Sequence, residues 1–131
     1  MEIRFKKIPF EEYLAFFEAM EKRSKLYGVD KNWLKIQHSV LVEPTKVDDH
    51  TFQFYCPENI CITENRPFFI QTGFKCCSGF SNVSCKPNFK VKRMAPMNRA
   101  QFATHLIFQG TAEENHCFNA GDLMFTLHFE E

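Results

Sequence analysis

Large apolar side chains recur at intervals of three and four residues near the start of the chain, at Phe10, Tyr13, Leu14, Phe17 and Met20. This spacing places them on one face of an α-helix. Pro9 suits the first turn of such a helix, and Gly28 is a typical residue for its end. The pattern therefore predicts an amphipathic helix between Pro9 and Gly28.

Beyond this helix the apolar pattern changes to a period of two residues, which is typical of half-buried strands. It first appears in residues 34–42, where Leu34, Ile36 and His38 alternate with polar neighbours ahead of Pro44. A short strand is also expected within residues 2–8. Further strands are predicted at 51–56, 60–62, 68–74, 89–92, 102–108 and 123–129. Residues 47–50 are expected to form a turn, and residues 76–88, rich in Ser, Asn and Cys, to form a loop.

One helix followed by six or seven strands, with no later helices to connect parallel strands, favours an α+β fold with an antiparallel sheet. The chain has 131 residues, and 16 of them are Phe, so a dense aromatic core is expected. This length fits one domain, and no repeat or linker divides it. We therefore predict a single domain over residues 1–131, with the N-terminal amphipathic helix packed on a Phe-rich sheet.

The formal net charge is zero, but the charges are segregated along the chain. Residues 65–110 contain seven basic and no acidic side chains, whereas residues 111–131 contain five acidic and no basic ones. Such a pattern is typical of an anion-binding surface, or of two segments that face each other. The candidate binding residues for an anionic or protein partner are Lys86, Lys90, Lys92, Arg93 and Arg99. The alternative is a solvated strand face that the acidic segment neutralises.

The six cysteines bear on both compartment and chemistry. The N-terminal sequence lacks the apolar stretch of a secretory signal, so we expect an intracellular protein, cytoplasmic or nuclear, with free thiols. A removed leader would instead suggest three disulfides, with 15 possible pairings. The nearest zinc constellation is Cys56 and Cys61 with Cys76 or Cys77 and Cys85, but no Cys-x-x-Cys pair occurs. We expect no metal and no cofactor.

A nucleophilic thiolate needs a neighbouring base, and the candidate pair in this chain is Cys117 with His105. Nothing in the sequence brings these two residues together, and His38 fits a hydrogen-bonded core histidine. No glycine-rich phosphate loop or nucleophile elbow occurs. The protein is therefore expected to be non-catalytic.

Four segments loosely resemble, in chain order, parts of the distal half of the tumour-suppressor transcription-factor DNA-binding domain: 38–42, Cys56 with Cys61, 65–67 and 89–92. That resemblance implies zinc ligation by Cys56 and Cys61 and a DNA contact by Arg66. The chain lacks the upstream residues for the other half of that fold and continues for two strands beyond the match. We carry no function over from it.

The resulting hypothesis is an intracellular binding or adaptor module that contacts a protein partner through a sheet edge or the basic strand face. The strand at Leu123–Phe129 is the candidate edge. One alternative is nucleic-acid binding through the basic block at 65–110. Another is a small-molecule or enzymatic pocket, because one helical region before a curved sheet looks like cone-shaped folds such as the nuclear transport factor family. The apolar runs are too short for a membrane span, and no membrane partner is expected.

Overall fold

The computed structural model describes residues 3–23, 29–56, 59–76, 82–96 and 105–130. Two helices are present in this part of the chain, α1 (Phe10–Arg23) and α2 (Lys31–Ser39). The strands are β1 (Phe5–Lys7), β2 (Thr45–Asp48), β3 (Thr51–Tyr55), β4 (Ile60–Ile62), β5 (Pro67–Cys76), β6 (Asn82–Pro87), β7 (Val91–Pro96), β8 (His105–Ala112), β9 (His116–Phe118) and β10 (Leu123–Glu130).

The strands form three sheets, and every pairing between named strands is antiparallel. Sheet 1 has the order β1-β5-β8-β7, sheet 2 has the order β2-β3-β10-β6, and β4 pairs with β9 alone. The predicted α+β class with antiparallel strands is confirmed. The expected count of six or seven strands in one sheet is wrong, because ten strands in three sheets are found in the described residues.

Sheets 1 and 2 pack face to face over a core that is largely phenylalanine. The rings of Phe108 in sheet 1 and Phe125 in sheet 2 lie 5.1 Å apart between centroids. At another point of the interface, Phe5 contacts Phe52 edge-on at 4.8 Å. Each such ring contributes about 1.5–3 kcal/mol by leaving water. The predicted Phe-rich core is confirmed, and it lies between two sheets.

Helix α1 covers part of the outer face of sheet 1, as expected, but its buried side includes Phe16, which was not on the predicted apolar face, and Phe17 is only half-buried. Phe16 and Met20 pack on Ile107 of β8, and all three side chains are buried. Glu12, one helical turn before Phe16, also contacts β8, since its Oε1 lies 3.4 Å from His105 Nε2. The expected end of the helix at Gly28 falls outside the described residues. Sheet 1 is therefore covered on both faces where α1 lies over it.

The strand predicted at 34–42 is wrong, because residues 31–39 form α2. The helix begins at Asp30, whose carboxylate accepts hydrogen bonds from the backbone N–H of Asn32 at 3.0 Å and of Trp33 at 3.1 Å. Its buried residues are Leu34 and Gln37. The alternation was misleading because a polar residue, Gln37, occupies the inner face and apolar residues occupy the outer one.

The strand prediction needs four further corrections. Strand β2 extends to Asp48 and so occupies half of the turn expected at 47–50. The loop expected at 76–88 contains β6, which pairs with β10 over its whole length. Strand β7 begins at Val91, so Phe89 and Lys90 precede it. Strand β10 lies between β3 and β6, so the segment expected to form an open edge is internal. The strands predicted at 51–56, 60–62, 68–74 and 123–129 are confirmed within a few residues.

Candidate functional site

The predicted basic residues do not share one strand face. Cys85 and Met94 pack towards the core, so the adjacent Lys86 and Arg93 point away from it. Lys86 is exposed on the outer face of sheet 2, opposite Thr126, and Arg93 is exposed on the outer face of sheet 1, opposite Thr111. These two charges therefore lie on opposite sides of the pair of sheets.

The remaining basic candidates lie at or near the beginning of β7. Lys90 precedes the strand, and its Nζ lies 4.0 Å from Glu114 Oε2. The Lys90 carbonyl also accepts the backbone N–H of Glu113 at 2.9 Å. Lys92 is exposed within a β-bulge between Val91 and Arg93. Arg99 lies outside the described residues.

In the described part of the chain, the acidic residues 111–131 thus contact the basic residues 65–110 at Lys90. Both side chains of the Lys90–Glu114 pair are more than half exposed, so the pair contributes little to stability. Lys92 and Arg93 have no ion-pair partner among the described residues. The two positive charges on β7 remain available to an anionic group.

The edges of both large sheets carry features that oppose the addition of another strand. The edge strands β1 and β2 have three and four residues, and β2 and β7 contain bulges. Lysine occurs on all four edges, and β6 and β7 end in proline. Short length, bulges, lysine and proline all disfavour pairing at an edge. The sheet edges therefore give little support to docking by strand addition.

Two cysteines that were expected to be free thiols form a disulfide. Cys61 of β4 and Cys117 of β9 are directly opposite each other, with their Cα atoms 4.0 Å apart. Cys61 is therefore not free to bind zinc with Cys56, and no cluster of three potential metal ligands occurs among the described residues. Burial raises the pKa of the Cys85 thiol to about 12, which disfavours its reactive thiolate.

The two candidate histidines have structural partners. His38 Nε2–H donates to the carbonyl of Ile8 at 2.7 Å, so this residue is the hydrogen-bonded histidine that was expected, although on a helix. His105 lies against Glu12 of α1 and Gln71 of β5, and Cys117 is in the disulfide. The pairing of Cys117 with His105 is therefore excluded as a nucleophile and base.

The exposed large apolar side chains of the described residues all fall within one short stretch, 33–47. Three of them, Trp33, Ile36 and Val40, are spaced by three and four residues along α2 and its C-cap. Their exposed fractions are 49%, 64% and 51%. They form one continuous line on the solvent side of the helix, which we call the α2 stripe. Val42 and Val47 are exposed nearby in sequence.

The α2 stripe lies in a stretch with only positive formal charge. Lys31 and Lys35 are exposed on the same helix, and residues 31–42 contain no Asp or Glu. The sequence prediction missed this surface because it assigned these residues to a strand. The signal that would have found it is Asp30, a preferred N-cap residue immediately before an apolar pattern.

None of the described helices is long and apolar enough to cross a membrane. Comparisons of the chain with protein-family models, with curated proteins and with solved structures find no match.

Proposed function

We propose that this protein is a non-catalytic binding module that contacts a partner protein through the α2 stripe. The observation that carries the proposal is that three exposed large apolar side chains, Trp33, Ile36 and Val40, follow one another at helical spacing along α2 and its C-cap. Scattered apolar residues are normal on a protein surface, whereas a contiguous line marks an interaction site. Trp33 is the natural anchor, because tryptophan is enriched among the residues that dominate binding energy.

Helix α2, which carries the stripe, is held to the rest of the molecule through its buried face. Leu34 is buried with Ile8 and Tyr13, and the Tyr13 hydroxyl donates to Gln37 Oε1 at 2.9 Å. The bond from His38 to Ile8 adds a second polar attachment. A partner would therefore meet a preorganised surface, which reduces the entropy lost on binding.

The partner that fits this surface is an amphipathic helix with acidic flanks. Its apolar ridge would cover Trp33, Ile36 and Val40, and its carboxylates would face Lys31 and Lys35. Helix-on-helix docking of this kind uses anchors spaced by three and four residues, as the stripe provides. The charge complementarity would raise the association rate and disfavour basic partners.

The compartment is part of the proposal. An intracellular location was expected, but disulfides persist mainly in oxidising environments, and the Cys61–Cys117 pair is exposed to solvent. We therefore propose that the module meets its partner in an oxidising compartment. The test is mass spectrometry of the protein purified from its natural source under alkylating conditions, which block free thiols. Reduction of that protein should then raise its mass by two hydrogen atoms, because it opens the Cys61–Cys117 disulfide.

The binding proposal is tested by selection from a phage-displayed library of helical peptides about five turns long, with varied apolar and flanking positions. Selection against the wild-type protein should enrich peptides with an apolar ridge flanked by Asp and Glu. Ile36→Gln should weaken the selected peptides about tenfold by removing apolar contact area without adding charge.

Val40 and Val47 form a matched pair for this test, since their exposed fractions are 51% and 56%. Val40→Gln should weaken binding, whereas Val47→Gln, on β2, should leave it within about twofold. Equal losses in both variants, or no enrichment of acidic peptides, would contradict the proposal. So would binding to vesicles with anionic lipids in the absence of any peptide binding.

A further inference from the structure

A groove lies on the outer face of sheet 1, beyond the part that α1 covers. The helix packs over the rows of the sheet that contain His105 and Ile107. The next row on this face consists of Phe69 of β5, Gln109 of β8 and Ala95 of β7. The row after it consists of Pro67, Thr111 and Arg93 on the same three strands. These two rows border a groove of about 280 Å³.

The shape of the groove depends on Gly110. Its own Cα approaches the backbone of β7 so closely that an added Cβ would collide with the carbonyl oxygen of Arg93. The same Cβ would lie 2.9 Å from the ring of Phe68, which is too close for a carbon contact. Glycine therefore allows β7 to approach β8 where the groove forms.

The groove combines an apolar lining with one cation. Pro67, Phe69 and Ala95 contribute apolar surface. Gln109 contributes an exposed amide. The only charged side chain that lines it, among the described residues, is Arg93, which has no ion-pair partner in that part of the chain. A planar guanidinium binds a carboxylate through two parallel hydrogen bonds.

We propose that this groove binds a small apolar carboxylate. The carboxylate pairs with Arg93, and an aryl or branched alkyl group lies against Phe69 and Ala95. The volume is slightly below the usual range for ligand pockets, about 300–1,000 Å³, so the ligand is small. This site is distinct from the α2 stripe and does not depend on the binding function proposed for that surface.

The probe for this proposal is 3-phenylpropionate, followed by ligand-observed NMR and by chemical shifts of the protein. We expect saturable binding with shifts at Phe69, Ala95 and Gln109. The alcohol 3-phenylpropanol has the same carbon frame without the charge and should bind at least about tenfold more weakly. Arg93→Gln should cause a loss of similar size.

Lys92 provides the matched control, since it is the neighbouring residue, has the same charge and is exposed. Lys92→Gln should leave the affinity within about twofold, whereas a general electrostatic effect would weaken both variants equally. Equal binding of the acid and the alcohol, equal losses in the two variants, or no binding of the acid would overturn the proposal. An acetylated Gly-Gly-Phe peptide distinguishes the two sources of carboxylate: if it binds at least as tightly as 3-phenylpropionate, the ligand is a peptide C-terminus.

Discussion

Gly73 shows how a single residue connects the helical layer to sheet 1. It has a φ of +80°, which is in the left-handed region that favours glycine, and it lies in the bulge of β5. Its carbonyl accepts the N–H of Ile8 at 2.9 Å, and its N–H donates to Gln71 Oε1 at 2.9 Å. The side chain of Leu41, which follows α2, packs against Gly73 at the position that a Cβ atom would need.

Gly73→Ala should therefore lower the free energy of unfolding by about 2–4 kcal/mol, because it adds both backbone strain and a collision with Leu41. The measurement is urea denaturation followed by circular dichroism. Gly121→Ala is the matched control, since Gly121 has a φ of +89° and no atom of the described residues lies within 4 Å of the added Cβ. It should cost only the backbone strain, about 1–2 kcal/mol. Equal losses in both variants would show that the Leu41 contact contributes nothing.

At the level of elements, α2 is the part that the sequence pattern misrepresented. Local periodicity predicted α1 and the long strands well, because their apolar residues face a core on one side and follow a single period. In α2 the outer face is apolar at Ile36 and the inner face is polar at Gln37, whose partner is Tyr13 on another helix. A contact between distant segments decides that arrangement, so the spacing of apolar residues could not reveal it. The local signal for the helix is its N-cap residue, Asp30.

The candidate sites show the same dependence on distant contacts. Arg93 was among the predicted binding residues, and it does line the groove on the outer face of sheet 1. Its separation from Lys86 follows from the pairing of β7 with β8 and of β6 with β10, which joins residues far apart in the chain. The α2 stripe was missed with its helix. Charge segregation was visible in the sequence, but its distribution over two faces was not.

Asp30 should stabilise α2 as its N-cap. Asp30→Ala removes the acceptor for the N–H groups of Asn32 and Trp33 and should cost about 1 kcal/mol. Faster amide hydrogen exchange in the first turn of α2, with a matching loss of stability in urea, is the expected observation. Asp49→Ala, at an exposed residue paired with Lys46, should change stability by less than about 0.5 kcal/mol. An Asp30 variant as stable as the Asp49 variant would refute the capping role.

At the scale of the whole molecule, the described chain forms three layers: helices, sheet 1 and sheet 2. The core between the sheets contains most of the buried phenylalanines, and α1 closes a second, smaller core on the other face of sheet 1. The β4–β9 ladder is held by the Cys61–Cys117 disulfide. This covalent link joins segments 56 residues apart and limits the freedom of the unfolded chain.

Loss of the disulfide should therefore lower stability by about 4 kcal/mol, the value expected from loop-closure entropy for this separation. Thermal unfolding of the wild-type protein with and without a reducing agent measures the effect. The double variant Cys61→Ser with Cys117→Ser should unfold at the lower temperature in both conditions. An unchanged unfolding temperature of the wild-type protein under full reduction would argue against the bond.

The central claim is that the α2 stripe is a binding surface, and Trp33 gives the most direct test because it is the only tryptophan in the chain. Its side chain is about half exposed in the free protein, at 49%, so its fluorescence emission reports directly on contact with a partner. Titration with an acidic amphipathic peptide selected on the wild-type protein should shift the emission to shorter wavelength and protect Trp33 from acrylamide quenching. Binding of that peptide without any change in the emission or quenching of Trp33 would contradict the account.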